Sequence, residues 1–298
     1  MTEVSREPTT SAVAPTSGRR PEIVRTVAEL RARVAAWRAK GERVAMVPTM
    51  GALHEGHLSL VEEGFRRADH VVVSIFVNPT QFAPHEDFQT YPRTEDSDVA
   101  KLTALSTDLV FAPNALEMYP LGNATRIEMG GPARGLETDF RPHFFGGVAT
   151  VVAKLLIACG PDLAIFGEKD YQQLAVVRQM VSDLSLPVAI VGAETVREAD
   201  GLAMSSRNAY LSAEERAAAP VLARQMRLVA EAARTGGDVA AAVAGASAAL
   251  TAAGFRQIDY VAVRNAVTLQ PPSEAGEPLR VLVAAWLGRT RLIDNCAV

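Results

Sequence analysis

The sequence predicts a doubly wound α/β domain with a smaller α+β domain at its carboxyl end. Three observations carry this. Short, nearly continuous apolar runs alternate with segments of helical period up to about residue 195, the pattern of parallel strands covered on both faces. The composition then changes, because Ala213–Ala253 is alanine-rich and helical, with little strand signal before Asp259. The chain closes on two strand-like runs around Gly288. These features place one domain at 21–195 and a second at 196–298, with a hinge near Glu194–Leu202. Residues 1–20 are rich in Thr, Ser, Pro and Ala and lack an apolar core. They are not a signal peptide and read as a disordered tail.

Taken in order, Val27, Leu30, Val34 and Trp37 recur at helical spacing and predict a helix over Val27–Lys40, ended by Gly41. Val44–Val47 is a short strand stopped by Pro48. Leu58, Leu60, Val61 and Phe65 form one face of a helix closed by Asp69-His70. Val71–Val77 is a strand that Asn78-Pro79 ends. Asp96–Leu105 reads as helix, Leu109–Ala112 as strand and Gly146–Cys159 as helix. Leu163–Phe166 is a strand followed at once by Gly-Glu-Lys-Asp, then a helix over Tyr171–Leu184 and a strand at Val188–Val191. In the second domain Asp259–Val263 is a strand, and Leu279–Leu287 and Thr290–Ile293 form a short antiparallel pair.

Composition bounds the function classes. The 298 residues are 48% hydrophobic and 21% charged, so a sizeable core is expected. A net charge of −4 gives no reason to expect a nucleic-acid partner. The two cysteines, Cys159 and Cys296, lack metal-type spacing and suit a reducing cytoplasm. The longest apolar runs, such as Val148–Cys159 with its Lys154, are too short to span a membrane.

The most informative segment is Val47-Pro-Thr-Met-Gly-Ala-Leu-His-Glu-Gly-His-Leu-Ser-Leu60. It runs from strand to small-residue loop to helix start, which sets backbone N–H groups and a positive helix end beside His54 and His57. Such a site suits a polyanion. Each imidazole can hydrogen-bond phosphate oxygens and, when protonated, offset charge as pyrophosphate departs. Gly51 and Gly56 let backbone approach a ligand. The H-x-x-H spacing also permits zinc, but His70, His85 and His143 form no obvious ligand set, so no metal ligand is assigned. The plainer reading is two surface histidines at a helix start.

Three further segments follow strands. Asn78, Thr80 and Gln81 lie beyond the end of a central strand, where open α/β sheets bind ligands; the plainer reading is a self-satisfied polar turn. Gly167-Glu-Lys-Asp170 is a second strand-to-helix junction, otherwise just a charged helix start. Its Lys169 suits phosphate oxygens, Asp170 can orient that lysine, cap the helix or help hold Mg²⁺, and Gln173 shares the lysine's side of the helix. Met204-Ser-Ser-Arg207 is a polar loop beyond the hinge that can close over a triphosphate or remain a solvated linker. No P-loop, no G-x-G-x-x-G after a strand and no G-x-S-x-G occurs.

Together, Pro48–His57, Ser74–Phe82, Phe166–Gln173, Met204–Asn208 and Thr290–Asn295 closely resemble the pantoate–β-alanine ligase (pantothenate synthetase) family, in order and in register from about residue 22 to the end. The resemblance implies a Rossmann-like fold of nucleotidyltransferase type, a C-terminal lid domain and a homodimer, with Val71–Val77 and the following loop near the dimer contact. It implies that ATP and pantoate give pantoyl adenylate and pyrophosphate, and that β-alanine then displaces AMP to give pantothenate, with Mg²⁺ accompanying ATP. By position, Met50, Gly51, Ala52, Leu53, His54, Glu55, Gly56 and His57 form the ATP loop, with His57 the proton donor. Gly167, Glu168, Lys169, Asp170, Val196, Met204, Ser205, Ser206 and Arg207 complete the ATP site. Gln81 matches the glutamine that touches pantoate and β-alanine, and Gln173 a second pantoate contact. His54, His57, Lys169 and Arg207 are the expected catalytic set.

One segment departs from the family's R-P-x-H-F-x-G-V. Here Arg141-Pro-His-Phe-Phe-Gly-Gly-Val148 puts Phe144 at the histidine position and His143 one residue earlier. Either His143 substitutes through a local shift or that polar contact is missing. Competing readings are a nucleotidylyltransferase with a phosphate-bearing acceptor, which needs extra Arg or Lys in its acceptor pocket, and a catalytically silent nucleotide-binding module.

Overall fold

In the computed structural model, residues 18–83 and 86–298 are described. Residues 1–17 of the expected tail, together with Pro84 and His85, lie outside the described residues. The alternating runs of the first domain form a six-stranded sheet: β1 (Glu22–Val24), β2 (Val44–Thr49), β3 (His70–Ile75), β4 (Leu109–Phe111), β5 (Leu163–Gly167) and β6 (Ala189–Ala193). The order is β1-β4-β3-β2-β5-β6 and each pairing is parallel. The helices are α1 (Val27–Arg38), α2 (Glu55–Arg67), α3 (Glu95–Ala104), α4 (Ala115–Met118), α5 (Glu137–Phe140), α6 (Phe144–Cys159) and α7 (Tyr171–Asp183).

Side-chain alternation along the strands divides the core in two. Val44, Met46 and Val72 pack with α1, α6 and α7 on one face. Ala45, Val47, Val71 and Val73 pack with α2 and α3 on the other. Covered on both faces, β3 is third from the edge, and its Val71–Val73 are fully buried. Toward the carboxyl end of the stretch Ile75 and Val77 are only partly buried, and Thr80 in the following loop is exposed. Local chemistry sets the helix starts. Thr26 and Glu29 form a capping box at α1, and Pro79 opens a single 3₁₀ turn after β3.

The expected stop at Pro48 is half right. The carbonyl of Val44 accepts from the amide of Asp162, so alternate residues of β2 from Val44 face β5. Pro48 falls on that side and has no N–H to give. The β2–β5 ladder ends at Met46–Ala164, whereas the β2–β3 ladder continues to Thr49–Ile75. The two central strands thus part at their carboxyl ends, where the strand order also reverses.

The second domain comprises α8 (Ala213–Ala218), α9 (Pro220–Arg234), α10 (Val239–Ala252) and an antiparallel sheet of β7 (Phe255–Asn265), β8 (Leu279–Leu287) and β9 (Thr290–Ala297). The Ala-rich stretch is broken where Pro220 opens α9 and where Gly236-Gly237-Asp238 separates α9 from α10. One face of this sheet carries α9 and α10. The other, with Ala262 and Leu282, packs against Leu136 and Tyr171 of the first domain. Sequence pattern missed β1, which has three residues, and saw only the middle of β7. No helix among the described residues is long and apolar enough to cross a membrane.

α6 seats the Asn78–Gln81 turn. A Cβ at Gly147 would lie 2.4 Å from the Thr80 carbonyl oxygen and 2.8 Å from the Cα of Gln81. Gly147→Ala is therefore expected to lower stability by about 1–3 kcal/mol through overpacking. Gly245→Ala, in α10 with nothing within 4 Å, is expected to raise it by about 0.5–1 kcal/mol. Urea denaturation of both variants checks this, and equal responses would contradict the close seating.

Candidate active site

The parted ends of β2 and β5 open into a cavity of about 860 Å³ that both domains line. It brings together Met50, His54, Gly56 and His57 after β2, Gly167 at the end of β5 with Lys169 and Asp170 beyond it, and Val196 with Met204–Arg207 beyond β6. Gln81 and Gln173 also line it. The two strand–turn–helix junctions therefore share one pocket at the switch point of the sheet.

His54 caps α2, its Nδ1 accepting from the Gly56 amide at 3.2 Å. His57 Nδ1 faces the His54 amide at 3.4 Å, and the ring centroids are 4.2 Å apart. A Cβ at position 56 would lie 2.9 Å from the His54 ring, so Gly56 serves to admit that imidazole. With each Nδ1 accepting, the ring proton of the neutral form sits on Nε2. Desolvation, then His54, Lys169 and Lys101, push His57 down to about 3. Desolvation and Lys169 also lower His54. In the free protein both rings are therefore neutral donors at pH 7, and protonated imidazoles await an incoming anion.

The ATP loop departs from expectation. The Ala52 and Leu53 amides, expected to face ATP, donate instead to the buried carboxylate of Asp98 at 2.9 and 2.8 Å. Lys101, one turn further along α3, donates to the Leu53 carbonyl. Ala52 has φ +51°, a left-handed conformation costing about 1–2 kcal/mol for a residue with a Cβ. Asp98 and Lys101 hold it there. Leu53 is in the core, and Gly51, Ala52, Leu53 and Glu55 do not line the cavity. Sequence reading missed Asp98 and Lys101. Their signal was an acidic first helical turn with a lysine three residues on, a pattern common at helix starts.

Glu168 also turns away from the cavity, pairing with Arg280 at 3.1 Å. Lys169 Nζ lies 3.8 Å from the Asp170 carboxylate, within ion-pair reach and beyond hydrogen-bond distance. Arg207, expected over a triphosphate, is held by Asp87 through Nε at 3.2 Å and Nη2 at 3.0 Å.

Near the apolar side, Tyr119 Oη donates to Asn78 Oδ1 at 2.8 Å, and Asn78 Nδ2 donates to Gln81 Oε1 at 3.1 Å. This relay leaves Gln81 Nε2 as the donor end of the amide, and it donates to Met50 Sδ at 3.0 Å, another residue of the cavity wall. Pro48, Phe76, Val148, Val152 and Phe166 supply an apolar wall. Phe144 lines the cavity with the Arg141 guanidinium 3.9 Å from its ring centroid, whereas His143 is exposed and lies outside it. His143 therefore does not replace the missing polar contact. Gln172, which sequence reading passed over, is buried and ties α7 to Glu137 N and Pro132 O.

A parallel sheet whose switch-point cavity carries neutral imidazoles, a lysine, arginines and serines, with no P-loop, defines an α/β protein with a side-chain-lined cavity suited to a polyanion. The model of the Pantoate-beta-alanine ligase family matches residues 22–297, and the chain belongs to that family. Pantothenate synthetase from Caulobacter vibrioides is 59% identical over 281 residues, covering 93% of this chain and 99% of that protein. The Bradyrhizobium sp. pantothenate synthetase is 60% identical, with 94% and 99% covered. The crystal structure of pantothenate synthetase from Thermus thermophilus superposes with a TM-score of 0.86 at 51% identity, covering 92% of this chain and 98% of that one. The Francisella tularensis pantoate-beta-alanine ligase, complexed with beta-gamma ATP and beta-alanine, gives 0.79 at 32% identity, with 93% and 97% covered.

Two outcomes follow. Asp98→Asn should cost about 1.5–3 kcal/mol, the worth of hydrogen bonds to a charged group, in urea denaturation at pH 7. An unchanged midpoint would remove Asp98 as the loop's anchor. Between pH 6.5 and about 3 the unfolded chain binds a proton at His57 that the folded protein excludes. Stability gained there is present above pH 6.5 and lost as pH falls through the window. His57→Gln should flatten that part of the stability profile, and an identical profile would contradict the buried neutral ring.

Proposed function

We propose that the chain joins pantoate to β-alanine with ATP, releasing AMP and pyrophosphate and forming pantothenate by way of a pantoyl adenylate. The observation that carries the reading is the meeting of both strand–helix junctions in one cavity, with an apolar wall and the amides of Gln81 and Gln173 beside them. In the first step a pantoate carboxylate oxygen attacks the α-phosphorus. An O–P bond forms, and the bond to pyrophosphate breaks. His54 and His57 offer Nε2–H to phosphate oxygens, while Lys169 and Arg207 offset the charge of the departing pyrophosphate. Arg207 exchanges Asp87 for phosphate to do so. Val196 lines the same cavity, where the adenine is proposed to rest. Gln81 donates to pantoate and remains in reach of β-alanine, and the apolar wall takes the substrate's hydrocarbon. In the second step the neutral amine of β-alanine attacks the acyl carbon, the C–N bond forms, the acyl–oxygen bond breaks to release AMP, and the nitrogen gives up one proton to solvent.

Mg²⁺ is proposed to arrive on ATP. Among the described residues no group of three or more His, Cys, Asp or Glu is placed to hold a metal ion. Mg²⁺ on a nucleotide commonly takes one or two protein carboxylates besides phosphate oxygens, and Asp170 in the cavity wall fits that part. The ion would neutralise phosphate charge. We further propose a homodimer, by family resemblance, and a cytoplasmic setting that suits the free Cys159 and Cys296. Residues 196–298 are proposed to act as a lid over the adenylate. Against a nucleotidylyltransferase reading, two of the three further arginines that line the pocket, Arg141 and Arg291, are paired with Glu137, which leaves Arg289 as the third.

A coupled assay for AMP should respond only when ATP, pantoate and β-alanine are all present, and AMP formation without β-alanine at the same rate would overturn the two-step reading. His57→Ala should fold and lose pyrophosphate release by about 10²-fold or more, and near-normal release would remove its assigned role. Lys169→Ala should impair the ATP step far more than turnover of preformed pantoyl adenylate, and equal losses would contradict its placement on the phosphates.

A further inference from the structure

Nothing in the activity proposed above assigns a part to the last strand, although Asp294 and Asn295 of β9 are buried beneath the phosphate segments, at 3% and 5% exposure. Adjacent residues of a strand send their side chains to opposite faces. This pair uses that fact to reach two different loops. Asn295 Nδ2 donates to the carbonyls of Glu168 at 2.8 Å and of Lys169 at 2.9 Å. Its Oδ1 accepts from Arg280 Nη1 at 2.9 Å, which fixes the amide orientation, and Arg280 Nη2 reaches the Glu168 carboxylate at 3.1 Å. Asp294 accepts from both Nη atoms of Arg197 at 2.7 and 2.9 Å. Arg197 in turn pairs with Ala203, and its neighbour Val196 accepts from the Met204 amide at 3.0 Å.

We propose that Asp294 and Asn295 are positioning residues for ATP: one dipeptide of the second domain fixes the Lys169 turn and the Val196–Arg207 loop at a set separation. The proposal rests on the ligase reading of the cavity. An asparagine suits its place, because its NH₂ supplies two donors to two carbonyls while its oxygen takes the arginine. An aspartate of the same size would set negative charge against both carbonyls. Holding the Lys169 carbonyl fixes the root of the side chain that meets phosphate, and a displacement of about 1 Å there can cost about 10²-fold in rate.

The test is a double-mutant cycle on pyrophosphate release from ATP and pantoate, without β-alanine. Asn295→Asp should lower kcat/KM for ATP by about 10–100-fold and leave the KM for β-alanine, measured from preformed pantoyl adenylate, unchanged. On a Lys169→Ala background the same change should cost less than about threefold, because the group it positions is gone. Asn295→Ala replaces Asn295→Asp if the latter does not fold. Asp294→Asn should raise the KM for ATP and spare β-alanine. Equal fold-losses with and without Lys169, or an unaltered kcat/KM for ATP, would overturn the proposal. Should the unsubstituted protein release no pyrophosphate, the ligase reading fails by itself, and the same cycle run on the Kd for ATP still decides whether Asn295 acts through Lys169.

Discussion

The parting of β2 from β5 is the constraint on which the rest of the molecule depends. A proline on the β5-facing side of β2 withholds a donor where the ladder would continue, and the two strands pair over Ala45 and Met46 alone. Beyond that point each strand turns into its own helix. The turns after β2 and β5 therefore rise on either side of one gap, and the helix that follows each points its amino end toward it. A ladder continued through residue 48 would draw these turns together and close the space that a triphosphate needs. The two-layered core keeps the gap open, because α6 and α7 on one face and α2 on the other are buried against the same central strands.

The electrostatics of the cavity follow from its shape. Several cations of the pocket region are held by carboxylates in the free protein: Arg207 by Asp87, Arg197 by Asp294, and Arg141 and Arg291 by Glu137. The imidazoles are neutral because they are desolvated and sit near lysines. A polyanion entering this space changes both balances, since it favours charged imidazole and competes with Asp87 for Arg207. The free site is thus poised for a charge it does not yet hold, with the lysines as its counterweight to the histidines.

Much of the site was legible along the chain because its parts are local. His54 and His57 are three residues apart at a helix start, and Lys169 follows its strand by two residues; strand, turn and helix each leave a short-range signature. Asp98, Lys101, Arg280 and Asn295 were not legible as site residues. Their partners are Ala52, Leu53, Glu168 and Lys169, and Asn295 lies 127 residues from Glu168. Contacts of that separation leave no periodicity or spacing to read. The turning of Glu168 away from the pocket and the surrender of two loop amides to Asp98 were hidden for the same reason. β1 escaped because three residues cannot display an alternation.

The sequence by itself determined the alternation of buried strands and amphipathic helices, the break at Pro48, the separate antiparallel domain and the family likeness, since each is written in neighbouring residues and their hydrophobic period. Tertiary structure alone decided that two distant junctions face one cavity, that the imidazoles are neutral there, that His143 stays outside while Phe144 lies beneath Arg141, and that β9 holds both the Lys169 turn and Arg197. Those outcomes depend on desolvation and on through-space hydrogen bonds, quantities that do not exist until the chain has packed.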